Sequence, residues 1–134
     1  MWHRFLCCLV IALLIQSCEK GNKKDLIGIS SDSVCFDNAA SGQYVSSKKD
    51  GLGLSCIRNC DANENISQTL HEGHTAVVLD AGWIKATGRS MSDIGYFKEL
   101  EIEVQDNGTG KDRCCKIELY HGNQMETVHV FQER

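Results

Sequence analysis

Two cysteines and two histidines lie close together in the middle of the chain, and these side chains are the ones that zinc prefers. Their spacing is Cys56-x3-Cys60 followed by His71-x2-His74. Tetrahedral zinc is held by thiolates and imidazoles, so the residue types fit a metal centre, but both histidine spacings are shorter than usual. Because the two thiols can also pair with other cysteines, we expect disulfide chemistry here and no metal.

Oxygen-bearing side chains in residues 61–72 have the chemistry of a calcium site. Asp, Asn, Asn, Ser, Thr and Glu occupy positions 1, 3, 5, 7, 9 and 12 of this stretch, a spacing that resembles an EF-hand loop. That loop needs converging oxygens and turns sharply at a glycine in position 6. Position 6 is Ile66 here, which favours a solvated polar loop over a calcium site.

Catalytic signatures are missing from the sequence. A nucleophile needs a nearby histidine that a carboxylate orients. His71, His74, His121 and His129 are available, but no Gly-x-Ser-x-Gly sequence and no nucleotide-binding loop occurs. We therefore predict a protein that is not an enzyme and needs no cofactor, with a small envelope hydrolase as one alternative.

The charge balance disfavours nucleic acid and leaves an acidic strip. Asp and Glu number 18 against 14 Lys and Arg, the formal net charge is −4, and 7% of the residues are aromatic. Such a chain has no cationic field for phosphates. Glu99, Glu101 and Glu103 alternate with apolar residues, so they share one face of a strand. We predict that this face contacts a basic protein partner.

The first residues carry an export signal. An uninterrupted apolar run over residues 5–15 follows Arg4 and ends at Gln16. A membrane-spanning helix needs about 20 apolar residues, so this run is too short and instead predicts a signal peptide. We expect the signal peptide to cover residues 1–17.

The end of this signal resembles the lipobox of bacterial lipoproteins. Leu14-Ile15-Gln16-Ser17-Cys18 has the aliphatic, variable and small residues that precede the lipidated cysteine. The resemblance implies that Cys18 becomes the first mature residue and carries fatty chains such as palmitate, which anchor the protein to a membrane. Residues 18–29 are then a polar, lipidated tether, and the protein lies in the bacterial cell envelope or periplasm.

An alternative is a freely secreted eukaryotic glycoprotein or effector that acts as a binding module. Asn65-Ile-Ser67 and Asn107-Gly-Thr109 are acceptor sequences for N-glycosylation, and both lie in polar, turn-like segments. In that case Cys18 is one more disulfide partner.

A second resemblance lies in a short segment of the body of the chain. Ala40-Ser-Gly-Gln-Tyr44 is similar to the Ser-Gly loop of the lipid-anchored inhibitors of c-type lysozyme, whose serine enters the lysozyme cleft. The resemblance implies a partner-binding role for Ser41, and we include Tyr44 in the candidate contact surface.

Five cysteines remain for the folded body once Cys18 is lipidated. In an oxidising compartment thiols pair, and we expect two bridges and one remaining thiol. Adjacent cysteines on a strand point to opposite faces, so one of Cys114 and Cys115 faces the core and the other bridges back to the N-terminal half. The five disulfide candidates are Cys35, Cys56, Cys60, Cys114 and Cys115.

Short apolar or alternating segments between glycine-rich turns predict a mainly β domain over residues 30–134. We expect a small antiparallel sandwich or barrel, stabilised by disulfides, with helix limited to a short piece near residues 66–71. The pattern indicates a hairpin between residues 34–36 and 43–46, and a meander of residues 100–104, 115–119 and 125–131. Residues 75–80 indicate a strand buried on both faces.

These features together predict a lipid-anchored, non-enzymatic envelope protein that binds another macromolecule. Inhibitors and immunity proteins, which neutralise an exported toxin or hydrolase, belong to this class. The expected partners are a membrane, through the lipid, and a protein.

Overall fold

The computed structural model describes residues 28–49, 51–72, 76–90 and 96–134. The chain forms strands in this part and no helix. The strands are β1 (Ser33–Phe36), β2 (Ser41–Ser46), β3 (Gly53–Asn59), β4 (Gln68–Glu72), β5 (Ala76–Asp80), β6 (Ile84–Arg89), β7 (Glu99–Val104), β8 (Arg113–His121) and β9 (Gln124–Gln132).

The strands build two sheets that pack face to face as a sandwich. One sheet has the order β1-β9-β8-β3 and the other has the order β2-β7-β6-β5-β4. Neighbouring strands are antiparallel except β1, which runs parallel to β9. The prediction of a small, mainly antiparallel β domain is therefore confirmed, and the sandwich is the form it takes.

Alternating apolar residues supply the core between the sheets. Leu100 and Ile102 of β7 are fully buried, as are Ile117 and Leu119 of β8. The residues between them on each strand point away from the core, as the two-residue period of a strand requires. Full burial of a Leu or Ile side chain contributes about 1.5–3 kcal/mol, so this pattern holds the two sheets together.

Two predicted hairpins are wrong because the chain crosses between the sheets at these places. β1 lies in the four-stranded sheet and β2 in the five-stranded sheet, and β7 and β8 are separated in the same way. The hairpin of β8 and β9 is as predicted, with a turn at Gly122 and Asn123. Alternation locates a strand but does not specify its neighbour, which in a sandwich is often distant in sequence.

The helix predicted near residues 66–71 is also wrong, because residues 68–72 form β4. Tertiary contacts hold this segment extended: the amide of Ile66 donates to the carbonyl of Ile57, and Leu70 pairs with Val78 of β5. The prediction for residues 75–80 is confirmed over β5 (Ala76–Asp80), since Val78 and Leu79 are both buried although they point to opposite faces.

The signal peptide and the lipid anchor at Cys18 concern residues outside the described part. Within that part, no helix is long and apolar enough to cross a membrane. The described part of the chain includes Gly28 and Ile29, which the sequence placed in the tether. The carbonyl of Gly28 accepts from the amide of Lys48, and Ile29 pairs with Ser47 and packs against the core.

Candidate functional site

The outer face of the five-stranded sheet brings two separately predicted partner-binding segments together. β2 and β7 are neighbours, and Tyr44 lies directly opposite Glu101. Ser46 and Gly42 lie opposite Glu99 and Glu103 in the same register. Because Leu100 and Ile102 point into the core, the three glutamates and Tyr44 share the outward side. We call this side the binding face.

Ser41 does not belong to the binding face. It lies opposite Val104, whose side chain is in the core, and the alternation of side chains places Ser41 on the inward side at the start of β2. Ser41 is nevertheless exposed, because it lies at the end of an edge strand. The structure therefore separates the serine from the tyrosine that the sequence grouped with it.

The acidic strip is part of a surface with both charges. Arg89 of β6 binds Glu101 with 2.8 Å between Nε and Oε2, and the side chain of Glu101 is only 14% exposed. Lys85 lies opposite Glu103, and Ser90 donates from Oγ to Glu99 at 3.3 Å. The hydrogen bond to Glu101 raises the pKa of Arg89 above its ordinary value, so the guanidinium stays charged. The surface around the three glutamates therefore carries charges of both signs and is not purely acidic.

One row of side chains crosses the whole binding face, one from each strand. Its outward positions are Leu70, Val78, Thr87, Glu101 and Tyr44. Val78 and Thr87 in the middle are 3% and 4% exposed, whereas Leu70 and Tyr44 at the two edges are 40% and 62% exposed. Neighbouring strands are about 4.8 Å apart, so the two exposed side chains are separated by roughly 19 Å.

Arg89 and Leu70 are exposed members of the binding face that the sequence did not reveal, whereas Thr87 between them is buried. β6, which carries Arg89, directly precedes β7 along the chain and pairs with it, whereas β4, which carries Leu70, lies at the opposite edge of the sheet from β2. The resulting groups are a phenol, a guanidinium fixed by a carboxylate, and apolar surface. Each of these groups can contact the surface of another protein, so the arrangement is suited to protein binding.

A disulfide links the end of β3 to the start of β8, its neighbour in the four-stranded sheet. It links Cys60, immediately after β3, to Cys114 in β8, with 5.9 Å between the Cα atoms. Cys115 is fully buried in the core, so the two adjacent cysteines point to opposite faces as predicted. Burial raises the pKa of the Cys115 thiol to about 12, which keeps it protonated at neutral pH.

The second predicted bridge is absent from the described residues. Cys56 is 5% exposed and its nearest polar neighbour is a carboxylate, since its Sγ donates to Oε2 of Glu118 at 3.3 Å. Arg58 binds the other oxygen of Glu118 at 3.0 Å. Burial, followed by the hydrogen bond to Glu118, raises the pKa of Cys56. Cys35 lies exposed on β1.

The next feature is the pair of candidate metal motifs, the zinc-like cysteines and histidines and the calcium-like residues 61–72. Cys60 is used in the disulfide, and His74 lies outside the described residues. Residues 61–72 combine a turn with strand β4, so the backbone of the calcium-like stretch does not form a single loop. In the part of the chain that the structure describes, no group of three or more His, Cys, Asp and Glu side chains is placed to hold a metal ion.

The two glycosylation sequences differ in the folded chain. Asn107 is 7% exposed, and its side-chain nitrogen donates to the carbonyls of Lys111 and Glu133, each at 2.8 Å. A glycan on that nitrogen replaces one of its two hydrogens, so at least one of these hydrogen bonds would be lost. Asn65 is exposed, and its Oδ1 accepts from the amide and hydroxyl of Ser67. Of the two glycosylation sites predicted for a secreted glycoprotein, Asn65 is therefore accessible and Asn107 is buried.

The comparisons with known proteins establish a fold relationship and no family. No protein-family model matches the chain, and no curated protein matches it significantly. The chain is similar to an NMR structure of a protein from Bacteroides thetaiotaomicron, with a TM-score of 0.57 and 12% identity over 86% of this chain and 92% of that one. At this identity the likeness shows the fold alone.

A second solved structure is less similar. It is the Bacteroides ovatus GH5 xyloglucanase in complex with a XXXG heptasaccharide, with a TM-score of 0.44 and 17% identity. The similarity covers 76% of this chain and 17% of that chain. A likeness of this size carries no argument about activity.

Proposed function

We propose that this protein is exported, is anchored by lipid at Cys18, and binds another protein through the binding face without catalysing a reaction. The observation that carries the binding role is Tyr44, which is 62% exposed beside the fixed pair of Glu101 and Arg89. Inhibitors and immunity-type proteins, which act by occupying an exported toxin or hydrolase, are the functional class that fits.

The export and anchoring part rests on the first residues of the sequence. The apolar run of residues 5–15 and the lipobox-like Leu14-Ile15-Gln16-Ser17-Cys18 supply it. Gly28, which contacts Lys48, follows Cys18 by ten residues (28 − 18 = 10). Ten extended residues span at most about 35 Å, so an anchored domain works close to the membrane surface.

The binding part rests on the kinds of side chain that the face presents. Tyr and Arg are enriched among the residues that dominate protein interfaces. A tyrosine loses little conformational entropy when it is held by a partner, and Arg89 is already held by Glu101, so both are ready for contact. Because charges of both signs lie on the face, we expect a partner surface with both signs rather than a uniformly basic one.

The anchor is tested by the intact mass of the mature protein and by cell fractionation. We expect the mass of two or three acyl chains on Cys18 and a membrane-bound protein, and Cys18→Ser should remove both. A mature protein with an unmodified Cys18, or with glycan mass on Asn65, would contradict the lipoprotein assignment.

The binding face is tested by site-specific photo-crosslinking in the envelope. A benzophenone amino acid placed at Tyr44 should capture one defined partner, and Arg89→Ala should reduce that capture. The matched control is the same photoreactive group at Met125, which is 53% exposed on β9 of the other sheet. Equal capture from both positions, or none from position 44, would contradict the proposal.

A further inference from the structure

The outer edge of β2 presents backbone groups that point away from its neighbour β7. β2 is the first strand of its sheet, and in an antiparallel pair alternate residues direct both N–H and C=O to the same side. Ser46 directs both groups outward: its carbonyl accepts from the amide of Ser30 at 2.8 Å, and its amide donates to Oγ of Ser30 at 3.0 Å. Gly42 and Tyr44 alternate with it, so their backbone groups also point outward.

This edge is accessible at Gly42 and Tyr44. Residues 28–30 run beside β2 at its far end, and the chain then crosses to the other sheet as β1. Residues 41–44 are all exposed, and in the described part of the chain no strand lies beside them on the outer side. An exposed edge is a template for a further strand unless charge or proline protects it. β2 contains neither, so its edge can accept another strand.

The outward groups of β2 match those of a second β2 in one antiparallel register. A two-fold axis at Gln43 places Gly42 of each copy opposite Tyr44 of the other. Each such pair exchanges two hydrogen bonds, so the outward groups of both residues are all satisfied. A register centred on Tyr44 would instead place Gly42 opposite Ser46, whose groups already bind Ser30. The axis at Gln43 therefore fits the edge best.

A tyrosine opposite a glycine is a pairing that this domain already uses. Tyr120 of β8 lies opposite Gly53 of β3, and a Cβ atom at position 53 would collide with its ring. Tyr44 is 62% exposed and would lie in the same way over Gly42 of the second copy. Within its own chain, a Cβ atom at position 42 would meet nothing closer than 3.5 Å. The space beside Gly42 is therefore available to the ring.

The two ends of β2 carry charges of opposite sign. Exposed Asp37 and Asp106 lie near the start of the strand, where their Oδ1 atoms accept neutral backbone amides at 2.9 and 2.7 Å. Exposed Lys48 follows the end of the strand. An antiparallel pair brings the acidic end of each copy to the basic end of the other, whereas a parallel pair brings like charges together. Complementary charge therefore favours the antiparallel pair.

We propose that a second copy of this chain pairs with β2 along its outer edge, antiparallel and with a two-fold axis at Gln43. The two five-stranded sheets then form one continuous sheet, as an isologous dimer requires. Arg89 lies on β6, two strands behind the edge, so it stays accessible in the dimer. The dimer goes beyond the proposed function and does not depend on the identity of another protein partner.

Disulfide trapping of the full chain in the envelope tests the register. Gln43 lies in a non-hydrogen-bonded pair with itself, where Cα atoms are about 4.5 Å apart, a separation that a disulfide spans. Gln43→Cys should therefore give a linked dimer on a non-reducing gel. The control is Ser41→Cys, whose two copies are about 14 Å apart along the strands and should give at least about tenfold less dimer. Both variants carry Cys35→Ser, because the Gln43 side chain reaches the carbonyl of Cys35.

Two further variants test the contacts in the Gln43→Cys background. Gly42→Pro removes an outward N–H and leaves the ladder to β7 intact, and Tyr44→Ser removes the ring. Each should lower the dimer yield about fivefold or more, and the yield should fall as salt is added. Leu70→Ser, a substitution of an exposed apolar residue at the other edge of the same sheet, should leave the yield unchanged. An unchanged melting temperature shows that each variant is folded.

The outcomes separate this dimer from the proposed function. Absence of a dimer from Gln43→Cys, equal yields from Ser41→Cys, or an equal loss with Leu70→Ser would overturn the pairing. A bridge from position 43 to a different protein would also overturn it, because another strand would then occupy the edge. Photo-capture of a different protein at position 44, without a dimer at position 43, would support the proposed function alone.

Discussion

Tyr44 and Glu101 lie directly opposite each other on neighbouring strands, and Arg89 reaches the same glutamate from the strand on its other side. The phenol ring of Tyr44 therefore lies beside a carboxylate, Glu101, that is already paired with Arg89. A partner that contacts Tyr44 meets a surface with fixed charges of both signs, which gives specificity more than long-range attraction.

The two sides of the five-stranded sheet should respond very differently to truncation. Arg89→Ala should lower the free energy of unfolding by less than about 1 kcal/mol, because an exposed ion pair contributes little. Ile102→Ala, on the inward side of the adjoining strand, should lower it by about 2–5 kcal/mol, because Ile102 is fully buried. Urea denaturation of both variants measures the difference, and comparable losses would show that the outer face is structural.

The disulfide should contribute about 2–4 kcal/mol to the free energy of unfolding. Cys60 and Cys114 are 54 residues apart, and a bridge of this span restricts the unfolded chain strongly. The double variant Cys60→Ser/Cys114→Ser should therefore unfold at lower denaturant concentration. Dithiothreitol should destabilise the wild type by the same amount and leave the double variant unchanged, and a further loss in the variant would point to another bridge.

Gly88 is required by a close approach of Phe97. A Cβ atom at position 88 would lie 2.5 Å from Cδ1 of Phe97, whose side chain is fully buried and has no space to retreat. Gly88→Ala should therefore destabilise the domain by about 1–3 kcal/mol. Gly108→Ala is the control, because a Cβ atom there meets nothing within 4 Å. Thermal denaturation of the pair gives the comparison, and an unchanged Tm for Gly88→Ala would refute the packing argument.

The two sequon asparagines should differ when changed to aspartate. Asn107→Asp removes both hydrogen bonds to the carbonyls of Lys111 and Glu133 and places a carboxylate beside them, so we expect a loss of about 2–4 kcal/mol. Asn65→Asp keeps the oxygen that accepts from Ser67 and should be nearly neutral. Chemical denaturation of each variant distinguishes them, and similar values would contradict the buried role of Asn107.

Cys115 should make stability depend on pH in the alkaline range. The unfolded thiol ionises near its ordinary pKa of 9.0, whereas the folded thiol stays protonated until about pH 12 because it is buried. Unfolding therefore releases a proton between these values, and stability falls as the pH rises through this window. Between pH 8.5 and 10 the contribution of Cys115 should fall by about 1 kcal/mol.

Cys115→Val isolates this contribution, since valine fills a similar space and does not titrate. The fall in stability between pH 8.5 and 10 should be smaller in the variant than in the wild type, while all other titrating groups are shared. Identical pH profiles for the two proteins would show that Cys115 ionises as easily in the folded state as in the unfolded state.

Local sequence patterns were sufficient to locate most of the strands in this chain. The alternation of Leu100, Ile102 and Val104 with glutamates follows directly from the two-residue period of a strand, and it correctly predicted which side is buried. The opposite orientations of Cys114 and Cys115 follow from the same period. Acidic composition, the apolar run of residues 5–15 and the lipobox-like cysteine are likewise properties of the sequence.

Apart from the hairpin of β8 and β9, the predicted pairing of the strands was corrected by the tertiary structure. A strand at the surface of the core can join either sheet, because its inward side is equally apolar in both cases, and local alternation holds no information about its neighbour. For this reason β1 and β2 separate although they are adjacent in sequence, and β2 meets β7 instead. Tyr44 lies beside Glu101 only because this long-range pairing brings β2 and β7 together, and the parallel pair of β1 and β9 forms in the same way.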